Sequence, residues 1–316
     1  MASLSTSLRT ARRQRKQARV QGAVQNRGLI SNAQLNRARS RITYRIVLTV
    51  VIVVFTLAFI GPMYFLFSDG LKSTQEAIAT PPTLYPHHVH FSNYGTAWRW
   101  VDVGLLLKNT LYYAIGALFF QLVFDVAAAY ALSKLRPVLG NVIFAMMLAT
   151  LMIPAAVLLV PQYPTVASLP IIHINMIGTP EAIWLPSVAN AFNIFLLKRF
   201  FDSIPRDLIA AAAIDGASPL RTLWRIVIPI SRPILGVVSI FAFIGVWKDF
   251  LWPLLVEGGY NPTRETLNVG IYEAAVSTQQ NLIIAASAMA AVPTLLFFLV
   301  FQRNIMAGLT AGSLKG

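Results

Sequence analysis

The chain has 316 residues, of which 56% are hydrophobic and only 12% charged, with no cysteine and a formal net charge of +14. Soluble domains carry roughly 25% charged residues, so this composition excludes an ordinary soluble domain and fits a chain that crosses a membrane several times. The lack of cysteine removes disulfides, thiolate metal sites and cysteine nucleophiles together.

The positive charge does not indicate a nucleic-acid binder, because it is concentrated at one end. Residues 1–45 hold eleven Lys or Arg and no acid, and they run directly into an apolar stretch. This reads as a basic tail on the cytoplasmic side of a first helix. A secretory signal would have a much shorter positive region and a small-residue cleavage site; an organellar transit peptide shares the Arg-rich, acid-free composition. Contact with membrane lipid of anionic headgroup is a further use for such a tail.

The first predicted span is Ile46–Phe67, which carries no charge. A polar segment, Ser68–Val103, follows and contains Pro81, Pro82, Pro86 and the cluster His87, His88, His90. The second span, about Gly104–Ser133, contains Lys108 and Asp125, and the turn Lys134–Gly140 leads to a third, about Asn141–Val160. The loop Pro161–Gly178 precedes a fourth span, about Thr179–Leu197, and a charged segment, Lys198–Arg225, comes next. The fifth is about Ile226–Trp247, and a polar stretch to Gln280 precedes the sixth, about Asn281–Phe301. The expectation is an all-α integral membrane protein: six transmembrane helices over residues 46–303, then a C-terminal tail of residues 304–316. No internal repeat of the kind that builds many secondary transporters is visible.

Charge tests this topology independently of hydropathy. With the N-terminus inside, the cytoplasmic segments are residues 1–45, 134–140, 198–232 and 302–316, and they hold 21 of the 26 Lys and Arg. The outer segments keep only Lys72, Arg99, Lys108, Lys248 and Arg264. That bias orients the chain with both termini in the cytoplasm.

Residues 198–225 hold the most specific pattern. Pro205 suits the first turn of a helix, Arg206–Ile214 contains good helix formers, and Gly216 is placed to end it in a left-handed cap. Ser218 then reads as an N-cap with Pro219 at the first helical position. The run Ala210, Ala211, Ala212, Ala213 gives this short helix a nearly bald face that lets a partner's backbone approach closely.

The string Ala-Ala-x-x-Asp-Gly-Ala-Ser, formed by Ala211, Ala212, Asp215, Gly216, Ala217 and Ser218 and followed by Arg225, Ile226 and Pro229, resembles the signature loop of permease subunits of bacterial ATP-binding cassette importers. Segments such as AAYALSKLRP (128–137), WKDFLWPLLV (247–256) and QRNIMAGLTAGSLKG (302–316) are similar to the carbohydrate-uptake branch, and to its maltose-type second permease in particular. The resemblance covers most of residues 46–316 and leaves out the basic tail. It implies a type I permease fold whose loop forms a coupling helix between spans four and five, docked on a nucleotide-binding subunit. The C-terminal tail, with Gly308, Thr310, Gly312 and Lys315, is implied to reach the ATPase dimer. Further implied partners are a second permease, two copies of the ATPase subunit and an extracytoplasmic solute-binding protein, with alternating access as the mechanism and the bacterial inner membrane as the location. The family usually carries Glu five residues before the Asp. This chain has Ala210 there, which leaves the charged contact missing or moved to Arg206 or Asp207.

No Gly-x-x-x-x-Gly-Lys-Ser/Thr loop is present, since Gly70-Leu-Lys-Ser-Thr has the wrong spacing. No cofactor is therefore expected on this chain, and ATP and Mg are expected on the partner subunits. No catalytic constellation stands out, so the chain reads as a non-enzyme.

For the substrate pathway the candidates are Asp125, Asn190, Asn193, Trp247 and Asp249. Asp125 is costly within a span, and is either a pathway or partner contact or a protonated or water-bridged acid facing the bundle. Asn190 and Asn193 either bind solute or join two helices. Lys248 and Asp249, beside Trp247 and Trp252, either line the path or form an interfacial aromatic belt with a local ion pair. The three histidines suggest metal only weakly, because no acid or cysteine adjoins them; a solvated external loop is the plainer reading, and no metal site is expected. The favoured solute is a sugar or oligosaccharide. Alternatives are another polar solute such as glycerol phosphate, or an ion-coupled secondary transporter, which would have no use for a docking loop.

Overall fold

The structure, a computed structural model, describes the backbone of residues 38–313 and the side chains of residues 42–302. Among the described residues every regular element is helical. The chain divides into two compact units, Met1–Phe65 and Leu66–Gly316.

The described part of the first unit belongs to helix α1, Ala38–Asp69. Its apolar stretch, Ile42–Asp69, is long enough to span a bilayer. Large side chains such as Leu57 and Phe59 are exposed on it. A helix that is apolar all round is suited to a lipid solvent.

The second unit contains α2 (Ser92–Trp100), α3 (Val103–Tyr130), α4 (Gly140–Thr150), α5 (Ala155–Ala167) and α6 (Pro180–Ser187). These are followed by α7 (Ala191–Ser203), α8 (Arg206–Ile214), α9 (Arg232–Lys248), α10 (Leu251–Val256), α11 (Leu267–Ala274) and α12 (Gln280–Ser313). Helix α3 continues into a wider turn, Ala131–Leu135, and is the spine of the unit, packing on α6, α7 and α9. Its buried stripe runs Leu106, Thr110, Tyr113, Ala117, Gln121, Asp125 and Ala129, the three- and four-residue spacing of one helix face.

Three polar members of that stripe pin other elements at three heights. The Thr110 hydroxyl accepts the backbone N–H of Leu267 at 2.7 Å, Gln121 Nε2 donates to the Ser187 carbonyl at 2.7 Å, and Asp125 Oδ1 accepts the Asn190 N–H at 2.9 Å. Interhelical bonds of this kind contribute about 0.6–2 kcal/mol each where no water competes. Three apolar cores surround the spine. One joins the C-terminal end of α3 to α7 and residues 223–238, one joins α2 and the start of α3 to α11 and α12, and one joins Tyr113 to α5, α6 and α10.

Three spans follow the predicted course only in part. Three helices qualify as straight crossings: Ile42–Asp69, Val103–Leu135 and Gln280–Gln302. The third predicted span is bent by 107° between α4 and α5, and the fifth by 85° between Pro219–Ile230 and α9. The fourth is broken at Val188–Asn190 into α6 and α7. Proline is the physical reason at the first and third of these breaks. Pro154 precedes α5 with an extended ψ of 130°, and Pro186 lies inside α6, where a proline removes one helical hydrogen bond and crowds the carbonyl four residues earlier. The sixth helix also runs beyond Phe301, remaining helical through Ser313.

Candidate functional site

Two places in the second unit bear the predicted site residues, and α3 connects them. The first is the loop 198–225. Helix α8 occupies Arg206–Ile214 with Pro205 just before it. It ends as its residues require. Gly216 takes φ 75°, its N–H donates to Ala213 O at 3.1 Å, and the Ala217 N–H donates to Ala212 O at 2.9 Å. These two bonds satisfy the carbonyls a helix end would otherwise leave bare. Ser218 Oγ accepts the Arg221 N–H at 3.3 Å and Pro219 opens the next turn.

Of the alanine run only Ala212 is buried, while Ala210, Ala211 and Ala213 face outward. Arg206, Asp207, Asp215 and Ser218 are exposed, and Ala217 is half-buried. The sequence reading missed the larger apolar groups around this face: Ile214, Leu220 and Trp224 are exposed by 86%, 65% and 64%. The loop thus exposes small residues together with large apolar ones, a surface that is costly in contact with water and is stabilised by burial against a partner.

The loop is fastened to the end of α3 by three bonds. Tyr130 OH donates to Pro219 O at 3.0 Å, Lys134 Nζ to Ile204 O at 3.1 Å, and Ser133 Oγ to Asp202 Oδ1 at 2.7 Å. Asp202 also takes a salt bridge from Lys198 at 2.8 Å. Burial pushes the Asp202 carboxyl up, but the Lys198 ammonium and the Ser133 hydroxyl outweigh that and hold it below the usual carboxylate range.

The second place is an open cavity of about 530 Å³ lined by α3, α5, α6, α7, α9 and α10. Asn190, Asn193 and Asp249 line it, together with Gln121, Gln162 and Trp252. The broken helix forms part of its wall, and several backbone groups at the break have side-chain partners. Pro186 frees the carbonyl of Ala182, and the buried Trp252 indole donates to it at 2.9 Å. Gln121 satisfies Ser187 O, and Asp125 satisfies the Asn190 N–H. Asn190 Oδ1 in turn accepts the Asn193 N–H at 3.1 Å, capping α7. In a membrane interior such freed backbone groups must find protein partners.

Asp125 is fully buried and lies behind the cavity wall, not on it. Its second oxygen is left without a hydrogen bond. What the structure gives it is a single bond to the backbone of the helix break, from the Asn190 N–H. Gln121, one turn earlier on the same face, likewise bonds the break, at Ser187 O, and its four-residue spacing from Asp125 is the sequence signal that points to it. Trp247 is buried, stacks on Phe243 with centroids 5.6 Å apart, and lines a different cavity with Lys248. Lys248 and Asp249 form no salt bridge among the described residues.

Among the described residues no cluster of metal-ligating side chains occurs. His87 instead pairs with Glu76, Nδ1 to Oε1 at 2.8 Å, an acid eleven positions away that folding brings alongside. Gly308, Thr310 and Gly312 are described only as helical backbone of α12, and Lys315 lies outside the described residues.

The unit thus combines long apolar helices, a fastened, exposed apolar loop and an open cavity along a broken helix. Residues 121–306 match the family described as binding-protein-dependent transport system inner membrane component, and the chain belongs to that family. It is a transport component of an inner membrane and not an enzyme. It is 32% identical over 259 residues to the sulfoquinovosyl glycerol transport system permease protein SmoH of Agrobacterium fabrum, covering 81% of this chain and 88% of that one. The diacetylchitobiose uptake system permease protein NgcG of Streptomyces coelicolor is 29% identical, covering 84% and 87%. The sn-glycerol-3-phosphate transport system permease protein UgpE of Pectobacterium atrosepticum is 32% identical, covering 82% and 94%. In fold, the chain resembles a solved bacterial ABC transporter involved in the import of the acidic polysaccharide alginate, with a TM-score of 0.71 at 24% identity, covering 84% of this chain and 98% of that one.

Proposed function

We propose that this chain is one of two permease subunits of an ATP-driven importer for a sugar or oligosaccharide. It crosses the membrane six times, three of the crossings bent or broken, with both termini in the cytoplasm. The observation that carries the reading is the link between its two sites. The loop 198–225 is fastened to α3 at Tyr130, Ser133 and Lys134, and the cavity break is fastened to the same helix at Gln121 and Asp125. About 8 Å of continuous helix, from Asp125 to Tyr130, separates the two sets of pins. A movement imposed on the loop is therefore delivered to the cavity wall without passing through flexible chain.

ATP and Mg bind separate ATPase subunits, two copies of which dock on this loop and its counterpart in the second permease. Their closing moves α8, tilts α3 and α7 together, and exposes the cavity to the opposite side. An extracytoplasmic binding protein delivers the solute. The relatives that carry sugar glycosides and a chitin disaccharide support a carbohydrate; the glycerol-phosphate permease keeps a phosphorylated polyol as the second reading.

The test is co-purification. Deleting residues 206–222 is expected to abolish recovery of the ATPase subunits while the second permease remains bound. Recovery of the complete complex without this segment would overturn the proposal.

A further inference from the structure

A second cavity, of about 540 Å³, lies between the C-terminal end of α9 and helices α11 and α12. On α12 it is walled by Ser287, Ala290, Ala291 and Thr294, the i, i+3, i+4, i+7 stripe of one helix face. Four small side chains in that pattern leave room where larger ones would fill it. The opposite wall carries Lys248, and the exposed ring of Tyr272 adds an aromatic surface.

Three polar groups here make no hydrogen bond among the described residues. Lys248 is exposed and, among the described residues, makes no hydrogen bond or salt bridge; the Ser287 and Thr294 hydroxyls are likewise unused. Asp249 feels the lysine's charge but makes no salt bridge with it, and it lines the other cavity. The backbone on either side of Lys248 is fixed, since Asn268 Nδ2 donates to Trp247 O at 3.2 Å and to Asp249 O at 3.3 Å. Phe250 and Tyr272 hold each other edge to face with centroids 5.2 Å apart. An ammonium offers three donors and no acceptor, so this arrangement discriminates by charge as well as by hydroxyl pattern.

We propose that this cavity is a binding site for an anionic, hydroxylated group: a phosphate, carboxylate or sulfonate carried on a sugar or polyol. Lys248 holds the anion and Ser287 and Thr294 hydrogen-bond the neighbouring hydroxyls. The same chemistry is offered by a transported solute and by the headgroup of phosphatidylglycerol. The solute source rests on the importer reading above; the site itself does not.

The test uses the full-length chain with its co-purifying partners in nanodiscs. In discs of neutral phosphatidylcholine, sn-glycerol 3-phosphate and D-glucuronate are titrated against glycerol, followed by tryptophan fluorescence, since Trp247 lines the site. A saturable response to either anion is expected and none to glycerol. Lys248→Gln should weaken it about tenfold or more, the loss expected of a charge-assisted bond, while Lys248→Arg should retain it. In discs containing phosphatidylglycerol, native mass spectrometry reads lipid retention. Retention by the unmutated chain and not by K248Q, with no solute response, assigns the site to lipid. Identical titrations and identical lipid retention for the unmutated chain and K248Q would overturn the proposal. Failure of ATPase recovery concerns only the importer reading and leaves both measurements interpretable.

Discussion

Replacing Asp125 separates the two roles an intramembrane acid can have. The carboxylate accepts the Asn190 N–H at 2.9 Å in a fully buried place, and its other oxygen has no partner. Asp125→Ala leaves that N–H without an acceptor, which costs about 1–3 kcal/mol, and it opens a void at the helix break. Asp125→Asn keeps an oxygen in the same position and removes the charge, so its change should stay within about 1 kcal/mol. The assay is thermal unfolding of the complex in nanodiscs, read by intrinsic fluorescence, with solute-stimulated ATP hydrolysis measured in parallel. D125A is expected to lower the midpoint and uncouple hydrolysis from solute, and D125N to preserve both. If D125N were as damaging as D125A, the charge itself would matter, and an ion pair with a partner subunit or the solute would replace backbone support of the helix break as the role of Asp125.

Gly116 faces Trp184, and a Cβ there would run into the indole ring. Gly116→Ala should displace the ring from its bond to Tyr113 O, now 3.2 Å, destabilise the unit by about 1–3 kcal/mol, and appear as a lowered thermal midpoint. At Gly216 the φ of 75° is the obstacle and space is not, as nothing lies within 4 Å of an added Cβ. Gly216→Val should therefore cost about 1–2 kcal/mol and weaken ATPase recovery, with Gly216→Asn closer to the unmutated chain. Glu257 is fully buried with neither oxygen hydrogen-bonded. Burial pushes its carboxyl up to about 7, with Arg264 opposing and Glu265 and Glu181 adding to the rise. Because the folded state holds the proton more tightly, stability around α10 is greatest below the unfolded value of about 4.3 and declines as pH rises through about 7. Hydrogen-exchange protection of residues 249–266, corrected for the intrinsic pH dependence of exchange, should fall between about pH 5 and pH 8, and Glu257→Gln should flatten that fall.

Much of this architecture follows from residue type alone. The charge-free run Ile46–Phe67, the Gly216 cap and the Ser218–Pro219 start require only local chemistry, because hydropathy and left-handed φ are properties of single residues and short windows. The family resemblance likewise sat in contiguous strings. Hydropathy is blind to direction, however, and averages over the prolines that turn the chain at Pro154 and Pro186. Whether a proline ends a span or merely breaks it depends on donors supplied from elsewhere, in this fold Trp252 and Gln121, and no window of sequence contains both partners. Asp125 shows the same division. Its cost within a span was legible, but its partner, the N–H of Asn190, lies 65 positions away and became its neighbour only when α3 packed against the broken helix. The exposed faces of Ile214, Leu220 and Trp224, and the empty space beside Lys248, are likewise products of packing: apolar or charged residues become sites only where the tertiary structure leaves them uncovered.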